Sequence, residues 1–241
     1  MRSLLTLISS ILPNSIRDQF RTKIWALTDW VSFRSYSGEG EDMILRKIFT
    51  NKEKGFYVDV GAYHPKKLSN TYYFYKKGWN GINIDAMPGS MKLFDQLRKR
   101  DINLEIPIGK DGEDVYYYEF KDKALNGFES DHLKNKNQTK PQNQLLEVHK
   151  MKCNSLDTIL RSYLPNGQEI DFLSIDVEGQ EMKILQFLDF STYKPTWLLV
   201  EIWDYDCHDN RRNEIVNFLY EKGYTVKAKT LNTVFFKNIS K

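Results

Sequence analysis

The chain has 241 residues, of which 41% are hydrophobic and 28% are charged, and its formal net charge is +3. This length and apolar content suit one α/β domain with a full core. Acidic and basic residues are interspersed, and the short basic cluster at residues 98–100 falls at the end of a predicted helix, where cations suit the helix dipole. The charge pattern therefore argues against a nucleic-acid-binding protein. Cys153 and Cys207 are too few and too distant for a disulfide framework, which favours a reducing cytoplasm.

Residues 1–35 are predicted to be an N-terminal helical segment. Aliphatic residues at positions 4, 5, 7, 8, 11 and 12 follow a single basic residue and form an amphipathic helix that Pro13 ends. The apolar run is shorter than the roughly 20 residues of a membrane-spanning helix, and no small-residue cleavage site follows it. Two interpretations stay open: a helix packed on the domain or on a second copy of the chain, or a helix in weak contact with the surface of the inner membrane.

Two predicted strands, residues 56–60 and 81–85, carry the most informative pattern in the chain. The first holds Asp59 and breaks at Gly61, and Asp85 ends the second strand 26 residues after Asp59. A carboxylate at the end of the second strand is placed to accept both ribose hydroxyls of a nucleoside cofactor. The loop after the first strand lacks the glycine-rich pattern that a pyrophosphate needs. A nucleoside that carries an amino acid and no phosphate fits better, and S-adenosylmethionine (SAM) is such a molecule.

A series of motifs resembles the FkbM-type SAM-dependent methyltransferases. These motifs occupy residues 36–42 (Tyr-Ser-Gly-Glu-Gly-Glu-Asp), 57–65, 69–71, 78–85, 175–179 and 199–202, so the resemblance covers roughly residues 36–236. The chain departs from the family at Gly38, where a glutamine is common. The resemblance places a methyltransferase domain at residues 36–241 and implies SAM as the cofactor.

The predicted cofactor contacts follow from these motifs. Asp59 is expected to order the loop after the first strand or to meet the methionine amino group, and Gly61 to allow close backbone approach. The helix start at residues 69–71 is expected to receive the methionine carboxylate. The full set of predicted cofactor-binding residues is Asp59, Gly61, Ala62, Ser69, Asn70, Thr71, Asp85, Ala86, Ile108, Gly109 and Asp176.

Alternating helices and strands are predicted along the rest of the chain. Ser69, Ser90 and Ser155 are predicted helix caps. Further helices are predicted over residues 180–188 and 213–222, and further strands over 102–108, 115–120, 170–176, 197–202, 224–228 and 233–237. The turn at residues 111–112 makes residues 115–120 an antiparallel addition. The last two strands are joined by four residues, too few for a parallel crossover, and must pair antiparallel.

The predicted fold class is α/β, a doubly wound Rossmann-like sheet of the class I methyltransferase type. The sheet is mostly parallel and ends in an antiparallel C-terminal hairpin. The family resemblance implies the strand order 3-2-1-4-5-7-6.

Three residues are candidates for catalysis. Asp176 and Glu178 lie just beyond a predicted strand and could position an acceptor hydroxyl and remove its proton, although Glu178 could instead cap the next helix. His64 has a suitable ordinary pKa for a base, but in a tight turn before Pro65 it could serve only to bond backbone.

Two further segments can each be interpreted in two ways. Residues 203–209 place three carboxylates and a histidine in seven positions, which could hold Mg²⁺ with Asp176, or form a solvated loop with Trp203 and Tyr205 as an acceptor wall. No metal-ligand spacing is recognisable there, so no metal is predicted. Residues 131–144 are polar and could form a lid over the site or a plain solvated loop.

The predicted function is SAM-dependent O-methylation of a hydroxyl on a sugar, a glycan or a related natural product, because family relatives methylate hydroxyls and sugars stack on aromatic side chains. One alternative is an NAD-dependent epimerase or reductase using Tyr72 and Lys76, which lie unsuitably on the first helix after the first strand. The other is a non-catalytic SAM-binding subunit of a glycan-assembly complex.

Overall fold

The structure is a computed structural model that describes residues 11–27, 32–121, 127–128, 144–203, 205–208 and 213–239. Contacts divide the chain into two units, Met1–Ser35 and Tyr36–Lys241.

The described part of the first unit contains one regular helix, α1 (Asn14–Leu27). The carbonyl of Pro13 accepts hydrogen bonds from the backbone N–H groups of Ile16 and Arg17, so this proline starts a helix here. α1 falls within the predicted helical segment of residues 1–35, although the sequence patterns did not give its bounds. The predicted amphipathic helix lies outside the described residues except for Ile11 and Leu12. Within the described residues, no helix has the length and apolar character needed to cross a membrane.

The second unit contains helices and strands. Its helices are α2 (Glu41–Ile48), α3 (Tyr72–Lys76), α4 (Met91–Leu97), α5 (Leu156–Tyr163), α6 (Glu181–Gln186) and α7 (Glu214–Glu221). Its strands are β1 (Phe56–Val60), β2 (Asn80–Asp85), β3 (Ile102–Glu105), β4 (Asp114–Phe120), β5 (Gly127–Phe128), β6 (Leu145–Lys152), β7 (Phe172–Ile175), β8 (Trp197–Glu201), β9 (Tyr224–Lys229) and β10 (Thr233–Asn238). Among these elements, α2, β5 and β6 were not predicted from the sequence.

The main sheet has seven strands in the order β3-β2-β1-β7-β8-β10-β9. Its first five strands run parallel, and β10 pairs antiparallel with both β8 and β9. Renumbered within this sheet, the order is 3-2-1-4-5-7-6. The predicted class I methyltransferase fold, with its antiparallel C-terminal hairpin, is confirmed.

A separate three-stranded antiparallel sheet, β5-β4-β6, is inserted between β3 and α5. The predicted antiparallel addition at residues 115–120 is therefore correct, whereas β6 was not predicted. The predicted strand over residues 102–108 is too long, because β3 ends at Glu105 and Ile108 makes only an isolated bridge to Asn154.

Side-chain caps at helix starts agree with the sequence in part. Ser155 accepts the N–H of Thr158, as predicted, and Asn213 accepts that of Val216 as a cap that was not predicted. Ser69 accepts the N–H of Tyr72 and so caps the short helix α3. The prediction for Ser90 is wrong: its backbone is already helical, and its hydroxyl makes no cap bond.

Strand β1 is buried along its whole length, because side chains pack on both faces of the sheet. Val58 and Val60 belong to one apolar cluster, and Tyr57 belongs to another on the opposite face. Asp59 lies on the same face as Tyr57, since alternate residues of a strand share a face. The sheet thus carries a buried carboxylate in its central strand, next to the edge where the loops begin.

Candidate active site

The carboxyl ends of β1, β2, β7 and β8 meet at one edge of the main sheet. β1 pairs with β2 on one side and with β7 on the other, so the strand order reverses direction between β1 and β7. Loops that leave such a point in opposite directions open a crevice, where ligands of open α/β sheets bind. The predicted site residues on loops 61–71, 86–90 and 176–180 all belong to this edge.

Gly61 is required by a close contact between two loops. Its φ is +82°, and a Cβ built on it would lie 1.7 Å from the carbonyl oxygen of Asp176. The close approach that the sequence predicts is therefore made to the chain itself at this position. The N–H groups of Gly61 and Ala62 both donate to the carbonyl of Ile84. Because these donors are occupied, the loop does not resemble a phosphate-binding nest, which agrees with a cofactor that has no phosphate.

Asp59 and the start of α3 are joined by hydrogen bonds. The Thr71 hydroxyl donates to Oδ2 of Asp59 at 3.0 Å and lies 3.3 Å from the hydroxyl of Ser69. The Asn70 amide donates to the Ser174 hydroxyl at 3.0 Å, which ties the loop to β7. Asp59 thus orders the loop, one of its two predicted roles. Burial raises the pKa of Asp59 to about 6, although the Thr71 hydroxyl and Arg98 lower it.

Arg98 belongs to the basic cluster at the predicted helix end, and the structure buries it. It follows α4 directly, where a cation suits the helix dipole, yet its side chain has no exposed area. Its Nε donates to Asp101 at 2.8 Å, and its two Nη groups reach the carbonyl of Pro65 and the hydroxyls of Tyr57 and Thr71. The predicted position at a helix end is therefore correct, whereas the burial of Arg98 was not predicted.

Asp85 links the loops that follow β1 and β2. Its Oδ2 accepts the N–H of Tyr63 and its Oδ1 accepts the N–H of Met87, both at 2.8 Å. Burial raises the pKa of Asp85, against the lowering effect of these two donors. Each carboxylate oxygen can accept more than one hydrogen bond, so the predicted bonds to ribose hydroxyls stay compatible with this geometry.

The last predicted cofactor residues lie beside β2 and beyond β3. Ala86 follows Asp85 directly and is half-buried. The backbone of Ile106 donates to the carbonyl of Asp85, which brings the segment of residues 106–109 toward the crevice. Ile108 is bridged to Asn154, and a Cβ on Gly109 would lie 2.9 Å from Sγ of Cys153. This segment follows β3 at the same edge of the main sheet as the loops after β1 and β2.

Four carboxylates follow β7 and β8. Asp176 and Glu201 occupy matching positions on adjacent parallel strands, one step beyond the register pair Ile175–Val200. Glu181 is buried and accepts the N–H groups of residues 177 and 179, so it holds the turn after β7. Glu178 lies within that turn, is exposed, and has a φ of 55°. A positive φ at a non-glycine residue carries strain of the kind that clusters at functional sites.

Asp176 is exposed to solvent at the edge of the sheet where β7 ends. Desolvation and the charges of Glu201 and Glu178 raise the pKa of Asp176 to about 8. Desolvation also raises the pKa of Glu201, whose Oε2 is buried without a hydrogen-bond partner. Among the described residues, no arginine or lysine forms an ion pair with either group. The two carboxyl groups can therefore share one proton near neutral pH.

His64 holds a turn. Its Nδ1 accepts the N–H groups of Lys66 and Lys67, both at 3.0 Å. Desolvation and these two lysines lower the pKa of His64, which favours the neutral ring. Backbone bonding, the alternative role of this residue, is thus present in the structure.

The Tyr72–Lys76 pair does not form a dehydrogenase-like site. The ring of Tyr72 packs edge-on against Tyr36 at 4.9 Å, and Nζ of Lys76 donates to the Tyr36 hydroxyl at 3.0 Å. The first family motif, residues 36–42, is structural as well. Glu39 accepts hydrogen bonds from Thr230 and Asn232 and so clamps the turn between β9 and β10.

Metal-ligand geometry occurs at one described place, away from the crevice, on the small sheet. One oxygen each of Glu119 and Glu147 and one nitrogen of His149 lie within 4.8 Å of one another. The imidazole of His149 already pairs with Glu119 at 3.0 Å. In the segment 203–209, Asp204 and Asp209 lie outside the described residues, and Asp206 accepts the N–H of His208 in a local turn. The predicted lid at residues 131–144 lies outside the described residues except for Gln144.

Comparisons with known proteins identify the family. A solved structure, the O-methyltransferase from Bacillus cereus in complex with SAH, aligns over 97% of this chain and 96% of that chain, with 11% identity and a TM-score of 0.38. These values support no inference about this chain. A search of curated proteins finds no match. The family model described as the methyltransferase FkbM domain matches residues 59–226, which is more than half of the chain.

That match spans β1 to β9 and includes every predicted cofactor-binding residue. SAM is therefore the cofactor, and the NAD-dependent alternative is set aside. The chain belongs to the FkbM methyltransferase family.

Proposed function

We propose that the protein transfers the methyl group of SAM to a hydroxyl of a sugar, a glycan or a related natural product. The observation that supports an oxygen acceptor is the pair of carboxyl groups at Asp176 and Glu201, which both have a raised pKa. Desolvation and the charge of Glu178 raise the pKa of both groups, and the charge of Glu201 further raises that of Asp176. A hydroxyl must lose its proton as it is methylated, and a base is most effective when its pKa lies near the working pH.

The proposed roles of the residues in methyl transfer follow from their positions at the crevice. SAM, when bound, supplies an electrophilic methyl group on a sulfonium. Asp176 accepts the hydroxyl proton, and Glu178, exposed in the turn after β7, orients the acceptor. Glu201 beside Asp176 raises the proton affinity of that carboxylate.

The proposed seat of the cofactor lies on the β1–β2 side of the crevice. Asp59 and Asp101 are two buried carboxylates served by one buried arginine, Arg98, which leaves negative charge to attract the methionine ammonium group. Residues 69–71 stand next to this position, where the methionine carboxylate is expected. Asp85 is proposed to accept the ribose hydroxyls, and residues 86, 108 and 109 to border the base.

Exposed aromatic side chains support a sugar acceptor. Trp203 follows β8 directly and is 57% exposed, and Tyr63 in the loop after β1 is 47% exposed. Trp203 is hydrogen-bonded to Glu201, which places it beside the carboxyl pair. Exposed rings next to a reaction centre provide flat apolar surfaces for the faces of a sugar.

The test is methyl transfer from radiolabelled SAM to a panel of nucleotide sugars, lipid-linked sugars, oligosaccharides and small aromatic hydroxyl compounds. We expect label in a sugar fraction, with the methyl group on oxygen by NMR. The exposed Asp114→Asn variant, on the small sheet and outside the proposed set of site residues, serves as a control that should transfer normally. Label on nitrogen or carbon would contradict the proposal. Tight SAM binding without transfer to any acceptor would instead favour the non-catalytic subunit of a glycan-assembly complex.

Several predicted partners and locations stay proposals. These are a small-molecule or glycan acceptor, a homo-oligomer, no nucleic-acid partner, and a cytoplasmic protein with weak contact to the inner membrane through residues 1–12. The cysteines are consistent with a reducing compartment, since both are free and only Cys207 is exposed.

A further inference from the structure

Arg98 is among the largest fully buried side chains of the described protein. An arginine carries its charge at every physiological pH and is costly to bury unless it is paired and hydrogen-bonded. Here Asp101, itself fully buried, pairs with Nε at 2.8 Å. The guanidinium also lies 4.7 Å from the centre of the Tyr75 ring, a cation–π contact. Burying the Arg98 cation at this position therefore costs free energy, which its paired and hydrogen-bonded partners offset.

The remaining donors of Arg98 reach β1, the loop that follows it, and Asn83 on β2. One Nη group donates to the Pro65 carbonyl at 3.0 Å. The other donates to the Thr71 hydroxyl at 3.0 Å, and that hydroxyl in turn donates to Asp59 at 3.0 Å. The planar fork of an arginine can serve several acceptors in fixed directions, whereas a lysine offers a single point of charge.

The middle of this loop has few other ties to the rest of the protein. In the described part of the chain, two hydrogen bonds join residues 63–68 to elements outside the loop. One runs from the Tyr63 N–H to Asp85, and the other runs from Arg98 to the Pro65 carbonyl. Bonds at Lys66 and Lys67 remain inside the loop, since both go to His64. Arg98 therefore holds the loop at its middle, through the Pro65 carbonyl, and at its end, through the Thr71 hydroxyl.

We infer that Arg98 is a positioning residue for the cofactor: it fixes the loop of residues 61–71, and through Thr71 the carboxylate of Asp59, in the arrangement that binds SAM. This inference rests on the proposed seat of SAM at that loop. Arg98 touches no reacting atom in this account and acts only through Thr71, Pro65 and Asp59.

The test uses two matched pairs of variants, with SAM affinity measured by calorimetry and stability by thermal unfolding. Thr71→Val keeps the shape of the side chain but removes the hydroxyl, and Thr71→Ser keeps the hydroxyl. Arg98→Lys keeps the charge but loses the fork. Tyr57→Phe removes a different buried partner of Arg98 and of Asp101, one that belongs to β1 and not to the loop. Asp85→Ala reports independently on the proposed seat of SAM.

We expect Arg98→Lys and Thr71→Val to weaken SAM binding about tenfold or more, as the loss of a hydrogen bond to a charged group implies. Thr71→Ser should bind SAM within about twofold of the wild-type affinity. Tyr57→Phe should also bind SAM within about twofold, even if its unfolding temperature falls as far as that of Arg98→Lys. If Tyr57→Phe loses as much affinity as Arg98→Lys at equal stability, or if Thr71→Val binds normally while Asp85→Ala does not, the inference is overturned. If Asp85→Ala also binds normally, the proposed seat of SAM fails first, and the inference fails with it.

Discussion

Asp101 has a fully buried side chain and Asp176 is exposed, and the two carboxylates of this domain also differ in what balances their charge. Asp101 accepts hydrogen bonds from Arg98, Tyr57, the N–H of Gly81 and the Asn83 amide. Asp176 has neighbouring carboxylates and, within the described residues, no ion-pair partner. The first carboxylate is fully compensated by fixed donors, and the second is destabilised as an anion.

This difference distinguishes a carboxylate that holds the structure from one that can act as a base. A carboxylate with a full set of donors is locked in one charge state and one position, which suits a residue that holds a loop. A carboxylate that repels its neighbours holds a proton near neutral pH and can exchange it, which suits a base. Variants that remove the charge of a carboxylate and keep its shape can test this difference.

The largest expected effect is on turnover. Asp176→Asn and Glu178→Gln keep side-chain shape and remove charge, and loss of a general base typically lowers a rate by about 10² to 10⁴. At least one of the two should show such a loss in labelled methyl transfer, with SAM binding retained. Near-normal turnover of both would move the role to His64 or His208, and full inhibition by EDTA would restore a metal-dependent mechanism.

The next effect is on cofactor affinity. Asp85→Ala removes the proposed acceptor of the ribose hydroxyls and should weaken SAM by about 1.5 to 3 kcal/mol, the range for hydrogen bonds to a charged group. Calorimetry on the folded variant measures this loss, and Asp114→Ala, which removes a carboxylate from the exposed small sheet, is the control. Unchanged SAM affinity in Asp85→Ala would contradict the proposed seat of the cofactor.

Most of the fold followed from the sequence, because strand β1 and its neighbours have apolar runs bounded by glycine and acidic residues. The short gap before β10 fixed the antiparallel hairpin. Arg98 could not be placed in this way. A cation at the end of α4 suits the helix dipole, and its burial is decided by Tyr57, Pro65 and Asn83, which are distant in the chain. The helical pattern of α4 does not indicate that residues distant in the chain cover its C-terminal end.

The site was also predictable only in part. Loop positions after β1, β2 and β7 follow from the rule that ligands bind at the carboxyl ends of strands. The adjacency of Asp176 and Glu201 depends on strand register, and the left-handed backbone of Glu178 depends on the turn that Glu181 holds. Neither can be derived from residue types at those positions.

The pH dependence of turnover should show the coupling between Asp176 and Glu201. Because only the ionised base can accept a proton, the rate should rise with pH by about tenfold per unit below the raised pKa and level off above about 8. Glu201→Gln removes one repelling charge, so the pKa of Asp176 should fall and the rise should occur at lower pH. Rate measurements with saturating SAM from pH 6 to 9 provide the profile, and equal midpoints in both proteins would contradict the coupling.

The smallest effect is expected from the N-terminal segment. Deleting residues 1–13 should leave SAM affinity unchanged, because every predicted cofactor residue lies beyond position 58. Weak attachment through one short helix should give partial vesicle flotation of the full-length protein and none of the truncated form. Equal flotation of the two proteins would remove the membrane proposal, and a large loss of thermal stability would place the helix in a folded core.

The most direct test of the central comparison is the thermal unfolding of Asp101→Asn and Asp176→Asn, measured side by side without cofactor at pH 7. Asp101→Asn leaves Arg98 without its carboxylate, and breaking a buried ion pair costs about 3 to 5 kcal/mol, so the midpoint should fall by about 10 °C. Asp176→Asn relieves repulsion and should unfold within about 2 °C of the wild type or above it. A large fall for Asp176→Asn together with none for Asp101→Asn would contradict the division between supporting and reactive carboxylates.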